Sequence, residues 1–219
     1  MVKIIEGGNT VKIPVGGAII EGNLVVPPSA KGVVLFAHGS GSSRFSPRNQ
    51  YVAKVLNKAG LATLLIDLLT KEEEETDMRT GHFRFDIDLL SQRLIVATEW
   101  LRKNPITKDL VFGYFGASTG AAAALIAAAK LPAEIKTVVS RGGRPDLALD
   151  YIQKVKAPTL LIVGGNDMVV LDLNKKAMQS LTAAKKLEIV PGASHLFEEQ
   201  GKLAEVAKLS AEWFLAHLT

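Results

Sequence analysis

Six short runs of almost uninterrupted apolar residues recur along the chain, and helical patterns separate them. The runs cover residues 33–37, 61–66, 110–115, 137–140, 159–163 and 187–190. A strand that is apolar at nearly every position is buried on both faces, which is typical of a parallel sheet covered by helices. Because parallel neighbours need a crossover connection, the alternation predicts an α/β domain.

The first strands follow a different pattern. Residues 11–15 alternate between aliphatic and polar or proline positions, Gly16 and Gly17 follow, and residues 18–26 are the predicted return strand. Paired glycines supply the positive backbone angles of a tight hairpin turn. The sequence therefore predicts a mostly parallel sheet of about eight strands, with an N-terminal antiparallel hairpin and helices on both faces.

Helices are predicted between the strands. The first opens at Ser46-Pro47 and ends at Gly60, and the others lie at about 84–103, 119–130, 172–181 and 202–218. The acidic segment 67–83 is predicted to be a long loop. Residues 140–159 leave room for a short helix only, so no large cap domain is expected. A chain of 219 residues is long enough for one core, and we expect a single domain over residues 1–219.

The composition narrows the classes of function. Lysines and arginines are scattered, with a formal net charge of +4, and no basic stripe suggests nucleic-acid binding. The chain has no cysteine, which excludes disulfides and a thiolate nucleophile. The first residues lack the apolar core of a signal peptide, and the most apolar stretch, 121–129, is too short to span a bilayer. We predict a cytoplasmic monomer or homodimer that binds neither nucleic acid nor membranes.

Residues 116–120 read Gly-Ala-Ser-Thr-Gly between a predicted strand and an alanine-rich helix. The pattern G-x-S-x-G in a strand–turn–helix setting predicts a nucleophile elbow. A serine held there in a strained backbone conformation needs small neighbours two positions away, and Gly116 and Gly120 provide them. The helix N-terminus adds free N–H groups where an oxyanion would form. The motif therefore predicts that Ser118 is a nucleophile.

Two other interpretations of this turn stay open. The first is a glycine-rich turn whose serine is unreactive. The second is a nucleotide-binding turn. A dinucleotide turn has the pattern G-x-G-x-x-G after the first strand and an acidic residue about 20 positions later. Here the turn follows a strand in mid-chain, and Lys136 and Thr137 occupy the later positions. The nucleotide interpretation therefore fits less well.

A serine hydroxyl needs a base to take its proton and a carboxylate to orient that base. With an elbow of this kind, the acid and the base follow later strands, in the chain order Ser, Asp, His. The strand at 159–163 leads into Asp167, and the strand at 187–190 leads into His195. Ser118, Asp167 and His195 are therefore the predicted catalytic residues.

Other histidines and aspartates have different expected roles. His38 precedes the serine and is expected to anchor its own turn by hydrogen bonding. Asp172 is expected to be a helix N-cap. Asp146 and Asp150 are less favoured candidates for the acid. The remaining two histidines, His82 and His217, are expected at surface or packing positions.

An oxyanion hole needs two donors. One is expected to be the backbone N–H of Thr119, directly after the nucleophile. The other is expected from the glycine–serine turn after the strand at 33–37, where Ser40 is the first choice and Gly41 the second. Possible substrate-binding groups also follow strands: Arg44, Arg141 and Arg144 could hold a substrate carboxylate or could pair with surface acids.

These motifs together resemble the α/β-hydrolase superfamily and, within it, the dienelactone-hydrolase-like group. The resemblance covers about residues 31–218 and is carried by "FAHGSGSSRFSPRN", "RFDIDLLSQRL", "GYFGASTGAAAA", "VGGNDMVV" and "GASHLFEEQG". It implies the α/β-hydrolase fold, hydrolysis of carboxylic esters or lactones, and no cofactor. Dienelactone hydrolases proper use a cysteine nucleophile and a glutamate near it, whereas this chain has Ser118 and no glutamate in the turn after the strand at 33–37. The departure favours general serine-hydrolase chemistry over a dienelactone substrate.

The predicted function is therefore hydrolysis of small ester or lactone substrates through an acyl-enzyme, without a metal or a cofactor. A thioesterase, an amidase or an acyltransferase would use the same residues. A non-catalytic α/β-hydrolase-fold binding protein is the alternative from another class, because a fold does not fix a function.

Overall fold

A computed structural model describes residues 8–218 of the chain. Its strands are β1 (Asn9–Val15), β2 (Ala18–Val25), β3 (Gly32–Ala37), β4 (Ala62–Ile66), β5 (Val111–Ala117), β6 (Ile135–Arg141), β7 (Thr159–Gly164) and β8 (Lys185–Val190). Its helices are α1 (Pro47–Lys58), α2 (Lys71–Thr80), α3 (Ile87–Lys103), α4 (Thr119–Lys130), α5 (Leu149–Ile152), α6 (Met168–Ser180) and α7 (Lys202–Leu218). Short 3-10 turns lie at Phe83–Phe85 and Pro145–Ala148.

The eight strands form one sheet in the order β1-β2-β4-β3-β5-β6-β7-β8. The hairpin β1–β2 is antiparallel and joins β4 antiparallel, and all neighbours from β4 to β8 are parallel. The predicted fold class is confirmed. Because β3, β5, β6, β7 and β8 run in the same direction, the loops that follow them emerge at one edge of the sheet.

Apolar side chains cover both faces of the sheet. Consecutive residues of β3 belong to opposite clusters: Leu35 packs with residues of α3 and α4, and Phe36 packs with residues of α1 and α7. In β5, Tyr114 and Phe115 divide in the same way, and all four side chains are at most 1% exposed. Each such side chain contributes about 1.5–3 kcal/mol by leaving water. Burial on both faces explains why these strands read as continuous apolar runs.

The acidic segment contains a helix where a loop was predicted. Thr70 caps α2, because its Oγ1 accepts a hydrogen bond from the Glu73 amide at 3.2 Å and its amide donates to Glu73 Oε2 at 2.8 Å. This reciprocal pair is a capping box, and Gly81 ends the helix at φ 65°. The side chain of Glu73 also binds Arg93 on α3 at 2.6 Å. The loop prediction was therefore wrong.

The helix after β7 begins earlier than predicted. It starts at Met168, with Asp167 at the N-cap position, whereas Asp172 lies within the helix near Lys175. The prediction that Asp172 caps this helix is therefore wrong. In residues 8–218, no helix combines the length and the apolar character that crossing a membrane requires.

Candidate active site

Ser118 occupies the turn between β5 and α4 and has a strained backbone. Its dihedral angles are φ 52° and ψ −120°, a region that favours glycine because the Cβ of other residues is crowded there. Hydrogen bonds hold this conformation: its amide donates to the carbonyl of Arg141 at 3.2 Å, and its carbonyl accepts from Ala121 and Arg144, each at 3.1 Å. The side chain is partly exposed at the edge of the sheet.

The two glycines of the elbow are required by close backbone contacts. A Cβ on Gly116 would lie 2.4 Å from the Cα of Ala121, and one on Gly120 would lie 2.3 Å from the carbonyl oxygen of Ala37. Real Cβ atoms essentially never approach backbone atoms this closely. At this turn, the end of β5 therefore touches the start of α4, and the start of α4 touches the end of β3.

Asp167 and His195 come from the loops after β7 and β8 and form a hydrogen bond. His195 Nδ1 lies 2.6 Å from Asp167 Oδ2. The carboxylate side chain is 14% exposed, and the imidazole is 37% exposed. A carboxylate on Nδ1 fixes the tautomer that carries its proton there, so Nε2 is left to accept a proton.

Backbone hydrogen bonds join the two loops that carry this pair. The amides of Gly165 and Asn166 donate to the carbonyls of Val190 and Ala193, at 2.8 and 2.9 Å. Beyond the imidazole, Phe197 is at φ 57°, and its side chain is buried in the cluster formed with α1 and α7. The loop after β8 is therefore anchored on both sides of His195.

Gly142 lies between the surroundings of His195 and those of Ser118. It follows Arg141, whose carbonyl binds the Ser118 amide, and its φ is 52°. A Cβ on Gly142 would lie 3.4 Å from both Cε1 and Nδ1 of His195. The imidazole therefore rests against the backbone at the end of β6, the strand beside the one that ends at the serine.

The loop after β3 approaches the start of α4. His38 Nδ1–H donates to the carbonyl of Gly39 at 2.9 Å, and its Nε2 accepts the amide of Leu68 at 3.1 Å. Burial lowers the pKa of His38 and outweighs the opposing influence of the Gly39 carbonyl and nearby acids, which keeps the ring neutral. The ring anchors its own turn, as the sequence suggested. Beyond it, Ser40 Oγ lies 3.0 Å from Thr119 Oγ1.

The residues expected to form the oxyanion hole therefore lie together. As the first residue of α4, Thr119 has an amide without an acceptor in a preceding turn. Gly41 is at φ 66°, which favours glycine. Gly39 lies close to the nucleophile, since a Cβ on it would be 3.0 Å from the Cβ of Ser118.

The three arginines differ in their partners. Arg44 is paired with Asp67 and with Glu21, the latter at 2.6 Å. Arg144 makes two hydrogen bonds to Asp146, at 2.8 and 2.7 Å. A substrate carboxylate at Arg44 or Arg144 would have to compete with these acids.

Arg141 is the exception among the three. It is 7% exposed, and its Nε and Nη1 are buried without a hydrogen-bond partner among the described residues. Burial, together with repulsion from Arg48, lowers the pKa of Arg141 to about 10, so the side chain still carries its charge at neutral pH.

A cavity of about 150 Å³ adjoins the loop after β3. Part of its wall is α2, the helix that stands where the sequence predicted a loop over residues 67–83. Its lining includes the turn that carries Ser40 together with Leu69, Glu74, Asp77, Met78, Arg84 and Leu90. The Thr70-x-x-Glu73 capping signal in the sequence could have placed this helix, and with it the cavity wall.

Within residues 8–218, no group of three or more His, Asp or Glu side chains is arranged to hold a metal ion. The groups present at this edge of the sheet are a serine hydroxyl, an imidazole–carboxylate pair and backbone amides. These groups can transfer an acyl group through a covalent intermediate.

Comparison with known proteins adds three findings. The profile of the dienelactone hydrolase family matches residues 20–217. Proteins from two strains of Mycobacterium tuberculosis, provisionally named phosphoribosyl transferases, are 56% identical over 208 residues, which cover 95% of this chain and 46% of theirs. The chain thus spans less than half the length of these curated relatives.

Solved structures are also similar. The dienelactone hydrolase of Anabaena variabilis has a TM-score of 0.95 and 61% identity, over 96% of this chain and 98% of that one. Est1E of Butyrivibrio proteoclasticus, which has also been solved with ferulic acid bound, has a TM-score of 0.80 and 16% identity, over 94% and 98% of the two chains. At that identity, the second likeness concerns the fold alone.

Proposed function

The chain belongs to the dienelactone hydrolase family, a family of α/β hydrolases, and from that premise we propose that it cleaves carboxylic esters or lactones with Ser118 as nucleophile. The observation that supports this proposal is the convergence of three groups at one edge of the sheet. They are a strained, partly exposed serine, an imidazole that lies against Gly142, the residue after the one whose carbonyl binds the serine amide, and a carboxylate 2.6 Å from that imidazole.

The proposed reaction is acyl transfer in two steps. His195 takes the proton of the Ser118 hydroxyl as its oxygen attacks the ester carbonyl, and Asp167 stabilises the imidazolium that forms. The oxyanion binds the backbone amides of Thr119 and of the Ser40–Gly41 turn. His195 then protonates the leaving alcohol, and a water molecule repeats the sequence on the acyl-enzyme to release the acid.

A serine in place of the family's usual cysteine makes the base essential. A thiol is partly ionised near neutral pH, whereas a serine hydroxyl is a weak nucleophile until a base removes its proton. The proposal therefore depends more strongly on His195 than cysteine chemistry would. The serine nucleophile also favours simple esters and lactones as substrates over the dienelactone itself.

The direct test compares Ser118→Ala with wild type on a panel of small esters and lactones. The variant should lose ester turnover by on the order of 10⁴-fold or more, because no other group can form the acyl-enzyme. Ser194→Ala is a matched control: this serine lies beside His195, and its backbone amide, which donates to Glu199, and its carbonyl, which accepts from Phe197, stay in place. Full ester turnover by Ser118→Ala would contradict the proposal.

The name of the Mycobacterium tuberculosis relatives offers a second candidate, phosphoribosyl transfer. Those proteins are more than twice as long as the matched segment, which covers 46% of their length. The matched segment spans 95% of this chain. We propose that the shared segment contributes the hydrolase activity, and that any transferase activity needs the remainder of those longer proteins.

Arg141 is our proposed anchor for a substrate carboxylate on the leaving-group side. Its charge has no partner among residues 8–218, and the residue after it lies against His195, the group that protonates the leaving alcohol. Acetate esters of matched alcohols with and without a carboxylate test this. Wild type should prefer the carboxylate-bearing alcohol, and Arg141→Gln should lose the preference, whereas an unchanged preference would contradict this role.

A further inference from the structure

The position of His195 divides the site into a leaving-group side and an acyl side; this inference rests on the proposed function. The leaving oxygen must face the imidazole to receive its proton. The loops after β6, β7 and β8 carry Gly142, Asp167 and His195, respectively. The acyl substituent therefore extends the other way, toward the loop after β3.

A cavity is present on that acyl side. None of the residues that line the cavity beside the β3 loop comes from the loops that carry Asp167 and His195. Gly39 is part of the lining and lies against Ser118, since a Cβ on it would be 3.0 Å from the serine Cβ. Gly39 thus connects the cavity to the nucleophile, and Ser118 itself is not part of the lining.

The volume of this cavity limits the acyl group. It is about 150 Å³, and a cavity of about that size engineered in an unrelated protein takes one benzene ring. Leu69, Leu90 and Met78, which is 70% exposed, supply apolar wall. The space suits an acyl group of about four to seven carbons, or one aromatic ring.

The charged groups in the lining leave a net negative charge. Asp77 is buried and binds Arg84 through Nε at 2.6 Å and through the Arg84 amide at 2.9 Å. Burial alone would raise the pKa of Asp77, but the hydrogen bonds and charge of Arg84 together lower it, so the carboxylate stays ionised. The charge of Arg84 is therefore already neutralised.

Glu74 is the remaining charge in the lining. It lies on α2, directly after Glu73 of the capping box, and its side chain is exposed at the cavity. No cation within residues 8–218 lies within ion-pairing distance of it. A second carboxylate brought into the cavity would face this one without compensation.

We propose that this cavity is the acyl pocket of the enzyme and that it selects small acyl groups that are neutral or cationic, and disfavours anionic ones. The selectivity depends on Glu74 for charge and on Leu69 for length. A substrate carboxylate, where there is one, belongs on the leaving-group side of the ester.

The test uses three 4-nitrophenyl esters that share one leaving group and differ in acyl charge. They are the esters of monomethyl adipic acid, of adipic acid and of 4-(trimethylammonio)butanoic acid, so that all three acyl groups stay within the size limit of the cavity. For each enzyme variant, kcat/KM for the charged ester is divided by kcat/KM for the neutral one, so effects on catalysis itself cancel. Wild type should rank the cationic ester above the anionic one.

Glu74→Gln should raise the anionic-to-neutral ratio by about three- to tenfold at low ionic strength, since one partly solvated charge at close range is removed. Added salt should reduce the difference between wild type and this variant. Glu75→Gln is the matched control, because Glu75 is the next residue of the same helix, is exposed and does not line the cavity. Equal ratios in Glu74→Gln and Glu75→Gln would overturn the charge selection.

Chain length provides an independent measurement. Wild type should turn over the butyrate ester better than the octanoate ester, and Leu69→Ala should shift the optimum toward longer chains. An unchanged length profile would overturn the assignment of the cavity to the acyl group. If wild type turns over none of these esters, the proposed function itself fails, which is a different result from turnover without selectivity.

Discussion

Replacing Ser118 with glycine should make the protein more stable while it abolishes activity. The serine is held at φ 52° and ψ −120° by hydrogen bonds to Arg141, Ala121 and Arg144. Glycine adopts such angles without the Cβ conflict that a serine has. The native backbone can therefore stay in place while the strain is released.

The size of this stabilisation follows from two opposing terms. A non-glycine residue in such a region costs about 1–3 kcal/mol, and a glycine costs about 0.5–1 kcal/mol through the greater freedom of the unfolded chain. The net gain in unfolding free energy is then about 0–2.5 kcal/mol, centred near about 1 kcal/mol. For a chain of this length, 1 kcal/mol corresponds to about 2–4 °C in Tm, so we expect a rise of about 2–4 °C and at most about 10 °C.

Differential scanning calorimetry of wild type, Ser118→Gly and Ser118→Ala separates strain from the loss of the hydroxyl. Ser118→Ala keeps the Cβ and should melt close to wild type, although it is equally inactive. Ser29→Gly is a further control for the effect of a glycine at positive φ outside the site, because Ser29 is at φ 60° and lies away from the nucleophile. If both Ser118 variants melt at the same temperature, the serine is not strained in solution.

Three further predictions concern the surroundings of the serine. Asp167→Asn should lower kcat on esters by on the order of 10⁴-fold with little effect on Tm, because the imidazole loses the carboxylate that sets its tautomer; a loss below tenfold would exclude the role given to Asp167. Gly120→Ala should prevent stable folding or lower Tm strongly, since the new Cβ would lie 2.3 Å from the Ala37 carbonyl oxygen, whereas Gly192→Ala meets nothing within 4 Å and should cost only about 1 kcal/mol for its positive φ. For His38, burial lowers the pKa in the folded state, so the unfolded chain binds the proton first as pH falls below about 6.5, and stability declines from that pH downward. Urea unfolding between pH 7 and 5 should show a shallower decline for His38→Asn than for wild type, and equal slopes would contradict the burial of a neutral ring.

The sheet could be predicted from the sequence because its strands are buried on both faces. Leu35 and Phe36 pack on opposite sides, so polar residues are excluded from the strand and the run stands out. The loops after β5, β7 and β8 could be located for the same reason, since each strand end is marked by glycine. Parallel direction then places Ser118, Asp167 and His195 at one edge.

The acyl side could not be predicted in the same way. Glutamates at 72–75 have the composition of a solvated loop, and the capping box at Thr70 is a local signal that composition obscures. The pairing of Asp77 with Arg84 and the partners of Arg44 depend on side chains that meet only after folding. Periodicity carries no information about such contacts, so the cavity and its charge needed the structure.

The central claim is that Ser118 becomes a covalent nucleophile when His195 removes its proton. It is tested most directly by labelling with a fluorophosphonate and identifying the modified residue by peptide mass spectrometry. Wild type should carry one adduct, on Ser118, and labelling should be slowed strongly in His195→Ala while that variant keeps its fold by circular dichroism. An adduct on another residue, or labelling of His195→Ala at the wild-type rate, would contradict the claim.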